Sequence, residues 1–92
     1  MVVGLLEIDL QVPGARSLKE KRRVLKSLKD RIRQGFNVSV AEVDHQDAWQ
    51  SAMLGVAIIA TDKQYANEVL SQIVNLVERE PEAVMRDYHL RF

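Results

Sequence analysis

The sequence predicts one α+β domain with the element order βαββαβ, and three observations carry that expectation. Segments of strict two-residue alternation open and close the chain, at residues 2–12 and 84–92. Two stretches of helical period each begin at a capping residue, Ser17 in one case and Thr61 or Asp62 in the other. Between the helices lie two further apolar runs, separated only by a polar connection. A chain of 92 residues builds one core, so residues 1–92 are expected to form a single domain.

The first strand places Leu6, Ile8, Leu10 and Val12 on one face and Glu7, Asp9 and Gln11 on the other, and Pro13 and Gly14 end it. Ser17 stands three residues before Glu20, the capping-box spacing that satisfies amide donors at a helix start. The helix is expected to run to about Gln34 with Leu18, Leu25, Leu28 and Ile32 as its core stripe and Val24 at the edge. Gly35 is placed to close it in the left-handed conformation. Residues 36–43 and 53–61 read as the second and third strands, the third apolar on both faces and therefore central. A second helix spans about residues 63–79, and Pro81 prevents its continuation. Right-handed crossovers then favour a four-stranded antiparallel sheet of order 4-1-3-2 with both helices on one face, a ferredoxin-like sandwich. In that topology the turn after strand one, the connection at residues 44–50 and the Pro81 turn share one end of the sheet. Gly14, Arg16 and Ser17 are thus expected near Asp44, His45, Asp47 and Trp49.

Several function classes are excluded at this level. With no cysteine there is neither a disulfide framework, nor a thiolate metal site, nor a cysteine nucleophile. The longest apolar run, residues 52–60, is about half the length of a bilayer span, and Glu7 and Asp9 interrupt the stretch where a signal peptide would need an apolar core. A cytoplasmic protein without a membrane partner is expected. No cofactor motif is present, and no cofactor is expected.

Formal net charge is zero, yet it is unevenly distributed. Nine basic residues between Arg16 and Arg33 face only Glu20 and Asp30, a net +7 that the rest of the chain balances with −7. On a helical projection Arg22, Lys26, Lys29 and Arg33 fall in one line, with Lys19 beside its beginning and Arg16 just before it. Like charges at these spacings repel by about 0.2–0.5 kcal/mol per pair, so an external anion such as RNA phosphate is one reason to keep them together. A solvated stripe neutralised by Glu68, Glu78, Glu80 or a neighbouring subunit is the alternative. The open sheet face, expected to show Glu7, Asp9, Gln11, Gly55, Ala57, Asp87 and His89, lacks the aromatics that stack bases in RNA-recognition motifs.

Other candidates are local. The turn with Gly14, Arg16, Ser17 and Lys19 offers amides at a helix start for a phosphate or carboxylate, and with them a small hydrolase activity of the acylphosphatase kind. That chemistry also needs an asparagine facing the turn, and Asn37 is expected at the opposite end. Asp44, His45 and Asp47 are conceivable oxygen and nitrogen ligands, but one connection defines no metal geometry, and no metal is expected. Trp49, the only tryptophan, either folds back over a core edge or anchors a contact. The second helix carries apolar residues over half its circumference, Tyr65, Ala66, Val69, Leu70, Ile73, Val74, Leu76 and Val77, which either packs tightly or covers a homodimer interface.

Two segments carry a family resemblance: Pro13-Gly14-Ala15-Arg16-Ser17-Leu18-Lys19-Glu20-Lys21-Arg22-Arg23, and Asn37-Val38-Ser39-Val40-Ala41-Glu42-Val43 continuing through Asp44, Gln46, Asp47 and Trp49. On these the chain resembles the YlxP-like family, small bacterial proteins with a domain of unknown function, over almost its whole length. The resemblance implies a ferredoxin-like fold and, because such genes often lie among those for transcription and translation factors, a role near RNA or ribosome-associated factors. It implies no catalytic residue. The expected function is a noncatalytic module contacting RNA or a ribonucleoprotein through Arg16, Lys19, Arg22, Lys26, Lys29 and Arg33. The alternatives are a homodimeric protein-interaction module and anion binding at the first turn.

Overall fold

In a computed structural model describing residues 1–92, the elements follow in the order β1 (Val2–Gln11), α1 (Leu18–Gly35), β2 (Ser39–Asp44), β3 (Ser51–Ala60), α2 (Lys63–Glu78) and β4 (Val84–Arg91). The strands form one antiparallel sheet in the order β2-β3-β1-β4, which is the expected 4-1-3-2. β3 is central, as its two-sided apolar pattern requires.

Leu6, Ile8 and Leu10 of β1 and Ala52, Leu54, Val56 and Ile58 of β3 line the buried face. Over them pack Val24, Leu25, Leu28 and Ile32 of α1 and Ala66, Val69, Leu70, Ile73, Val74 and Val77 of α2. Leu18 is only half-buried. The wide apolar face of α2 is spent inside the fold: Leu76 packs against the core, and of that set only Tyr65 stands exposed. The surplus anticipated on this helix therefore calls for no second subunit.

Helix termini bear out most of the capping logic and correct part of it. Ser17 is the N-cap of α1, its hydroxyl accepting the Glu20 N–H at 3.2 Å. The reciprocal half of the capping box is shifted by one residue, because the Glu20 carboxylate accepts from the Arg16 N–H rather than from Ser17. Asp62, not Thr61, caps α2, taking the Tyr65 N–H at 2.8 Å. Gly35 does not adopt the left-handed conformation expected of it, and no glycine has positive φ. Instead α1 ends when Phe36 turns extended while its N–H still reaches the Ile32 carbonyl.

The three connections do meet at one end. Val12 donates its N–H to the Gln50 carbonyl at 2.8 Å, and the Gln50 side-chain amide reaches the carbonyls of Ala15 at 3.2 Å and Pro13 at 3.4 Å. Val12, Gly14, Glu20, Arg23, Pro81 and Glu82 line a common concavity there. Each edge strand carries one irregularity. In β2, Val43 is extra between Glu42 and Asp44, and in β4, Arg86 is extra between Met85 and Asp87.

Candidate functional site

The basic line lies where the projection puts it, along α1 where the helix flanks edge strand β2. Arg22, Lys26, Lys29 and Arg33 line a groove of about 410 Å³ with Leu25, Asp30 and Glu42. Its charge is only partly answered from within. Lys26 pairs with Asp30 at 2.9 Å, one helical turn on, and Arg33 lies 3.8 Å from the same carboxylate. Asp30 is consequently held below the usual carboxylate range, first by the Lys26 hydrogen bond and then, against an opposing effect of burial, by the charges of Lys26, Arg33 and Lys29. Arg33 also donates to the Val40 carbonyl at 2.9 Å. Arg22 and Lys29 form no ion pair. Four cations thus share one carboxylate. Arg16 and Lys19 are likewise exposed and unpaired at the helix start.

The carboxylates beyond Pro81 serve other cations. Glu82 makes a two-armed contact with Arg23, which holds that guanidinium protonated even above its usual range, first through the hydrogen bond and then through charge. Glu80 takes Arg31. Glu68 and Glu78 pair with none of the stripe.

At the Gly14 turn the arrangement runs against a bound anion. The Arg16 amide that an incoming phosphate would use is already held by the Glu20 carboxylate, and the Ser17 hydroxyl is engaged with the Glu20 N–H. Asn37 lies at the other end of the sheet, beside Ala57 and Ile59. Asp44, His45 and Asp47 do not converge into a cluster able to hold a metal ion. The Asp44 carboxylate instead accepts the His45 N–H at 2.8 Å, and His45 turns the chain with φ of 63°.

A residue outside every candidate set organises this connection. Lys21 is 0% exposed, and its ammonium donates to Glu42 Oε2 at 2.9 Å and to the carbonyls of His45 at 2.8 Å, Ser51 at 3.2 Å and Gln46 at 3.4 Å. Three donors are shared among four acceptors, so the β2–β3 connection is folded around a buried cation. The sequence holds a signal for it: Lys21 occupies the helical position that precedes Val24, Leu25, Leu28 and Ile32 on the apolar stripe, where a charge requires a buried partner. Beside this anchor Trp49 is 56% exposed, so it does not fold over a core edge.

The open sheet face carries Glu7, Asp9, Gln11, Gly55, Ala57, Asp87 and His89 as expected, in the register Glu7 opposite both Gly55 and His89 and Asp9 opposite Asp87. Glu7 pairs there with Arg91, and His89 approaches Asp87 at 3.4 Å. The expected set lacks the apolar part of this face, where Val3, Leu5, Val43 and Ile59 are exposed.

Comparison with known proteins agrees with this architecture. Two solved structures share the fold: a de novo designed protein with ferredoxin fold, LFR1 1 (TM-score 0.61, 16% identity, covering 100% of this chain and 87% of that one), and the de novo designed protein Foldit4 (TM-score 0.56, 14% identity, 98% and 94%). Over 81 residues the chain is 33% identical to the uncharacterized protein YlxP of Bacillus subtilis (strain 168), covering 88% of each. Residues 3–90 match the family described as "Protein of unknown function (DUF503)", and the chain belongs to that YlxP-like family.

Proposed function

We propose that the protein is a noncatalytic, cytoplasmic binding module that takes RNA phosphate along α1. One observation carries this reading: Arg22, Lys26, Lys29 and Arg33 surround a groove in which Asp30 is the only carboxylate that answers any of the four, since Glu42 belongs to Lys21. The stripe therefore keeps a net positive charge directed outward, and neutralising backbone phosphates releases condensed counterions. Arg22 and Lys29, which have no internal partner, carry the larger share, while Lys26 and Arg33 must first exchange Asp30 for a phosphate.

The test is binding to structured RNA over a salt series. Relative to wild type, the pair Arg22→Gln and Lys29→Gln lowers affinity and flattens the slope of log K against log salt by about 0.9 for each phosphate that is no longer neutralised. This pair spares Arg33, whose hydrogen bond to the backbone belongs to the fold. An affinity and slope identical to wild type, in this pair and in the fourfold glutamine variant, would remove the surface from consideration.

The second reading is self-association. What favours it is the apolar part of the open sheet face, with Val3, Leu5, Val43 and Ile59 exposed, rather than the α2 face considered from the sequence. Light scattering at micromolar concentration decides it, a strict monomer being the adverse result.

A further inference from the structure

Trp49 sits in a setting that does not match its exposure. Its backbone neighbours are tied to β1 and to α1 by hydrogen bonds. The Gln50 carbonyl accepts from Val12 and the Gln50 amide spans to Pro13 and Ala15, while the Ser51 carbonyl is held by the buried Lys21 ammonium. Upstream, the carbonyls of His45 and Gln46 converge on the same ammonium, and Ala48 donates back to His45 at 3.0 Å. A fully buried lysine and a left-handed histidine are thus committed to a connection whose one large apolar side chain is left in water.

The surroundings of the indole are chemically selective. Trp49 borders a shallow concavity of about 490 Å³ with Gln11, Ala48, Gln50, Ser51 and Arg86. An apolar protein anchor would need apolar walls, and here only Ala48 supplies one. An exposed indole that shares its concavity with amide, hydroxyl and guanidinium side chains suits an unpaired nucleobase, which stacks on an aromatic ring and meets polar groups at its edge. Arg86 is pushed out of the β4 ladder as the extra residue of its irregularity and forms no ion pair, so it is free to meet a phosphate.

We propose that Trp49 is a stacking platform for one unpaired base of an RNA strand, with Arg86 contacting the adjacent phosphate and the Lys21-locked connection holding the ring in place. This rests on the RNA reading of α1 and extends it to a second surface, one that distinguishes single strands from duplexes.

Because Trp49 is the sole tryptophan, its fluorescence reports the site directly. The experiment titrates the full chain with a fluorophore-labelled single-stranded RNA octamer and with a duplex of the same sequence, following indole emission and fluorophore anisotropy together. Stacking quenches the indole with the single strand and not with the duplex, Trp49→Ala weakens single-strand binding about ten- to hundred-fold, and Arg86→Gln lowers the salt slope by about 0.7. The Arg22 and Lys29 pair variant retains the quench at saturation. If RNA binds with a slope that depends on the α1 stripe, but the indole is unmoved and Trp49→Ala binds like wild type, this inference is overturned and the stripe survives. Emission that shifts with protein concentration alone, without RNA quenching, means a second copy covers the ring and overturns it too. Absence of RNA binding by both reporters removes both readings.

Discussion

The Lys21 ammonium lies 2.9 Å from the Glu42 carboxylate, with the lysine side chain wholly buried and the glutamate only 14% exposed. This pair joins α1 to the far end of β2, and the three carbonyls around the ammonium make it the centre of the β2–β3 connection. Removing one partner leaves the other charge in a nearly dry setting, which costs more than the pair contributes as a whole. Lys21→Met is therefore expected to lower unfolding stability by about 3–5 kcal/mol in urea titration. The double variant Lys21→Met with Glu42→Leu recovers part of that loss, because no isolated carboxylate remains. Equal losses in the single and double variants would place the cost in the unpaired carbonyls of the connection rather than in Glu42.

Lys21 also marks where the sequence stops being legible. Strand alternation, the Ser17 cap and the two-sided β3 can be read because each is a local or periodic property of consecutive residues. The cation line Arg22, Lys26, Lys29 and Arg33 can be read for the same reason, since one helical projection contains it. Lys21 looks like one more of those cations because its partners are brought in by β2 and β3, 21 to 30 residues away. The end of α1 differs from expectation because Phe36 can leave the helix in extended conformation, so Gly35 needs no left-handed turn. Val43 and Ile59, by contrast, follow from alternation alone, since they continue the open-face series Ser39 and Ala41 on β2 and Gly55 and Ala57 on β3.

Asp30 sets the strength of the basic groove. At neutral pH it holds Lys26 and Arg33 at once, and Asp30→Asn releases both, raising the outward charge of the stripe by one unit. Polyanion affinity at low salt is expected to rise several-fold in this variant, read by anisotropy with a labelled RNA hairpin. Because its folded-state pKa is lowered, Asp30 contributes stability that is present above the ordinary carboxylate range and lost as pH falls through the lowered value. The stability gap between wild type and Asp30→Asn accordingly closes in strongly acid urea titrations. A gap that is unchanged or widens on acidification contradicts the assignment.

Arg33 has a second task at the edge of the sheet. Its guanidinium occupies the Val40 carbonyl, and the Gln46 side chain reaches the Glu42 carbonyl at 3.5 Å, so two acceptors of edge strand β2 are covered from within. An uncovered edge invites pairing with another chain. Arg33→Ala is expected to steepen the concentration dependence of light scattering, whereas Arg22→Ala, equally basic but without a hydrogen bond to the backbone, leaves it unchanged. Identical scattering for the two variants would deny Arg33 this role.

Gly55 and Val43 form a pair whose spacing makes the last expectation quantitative. A Cβ at residue 55 would stand 2.8 Å from Val43 Cγ1 and 3.4 Å from Cγ2, both belonging to a β-branched side chain with little χ1 freedom. Val43 lies over Gly55 because it is the extra residue of β2, so its isopropyl group fills the space that a side chain on β3 would otherwise take. Gly55→Ala forces either the valine off its rotamer or the β2 irregularity outward, costing about 1–3 kcal/mol as overpacking does. Adding Val43→Ala clears the space, and the double variant should regain most of the loss despite carrying less apolar surface. The coupling is measured by a double-mutant cycle in urea. Strict additivity would mean that the two side chains do not meet, and that β2 runs past Gly55 in a different register.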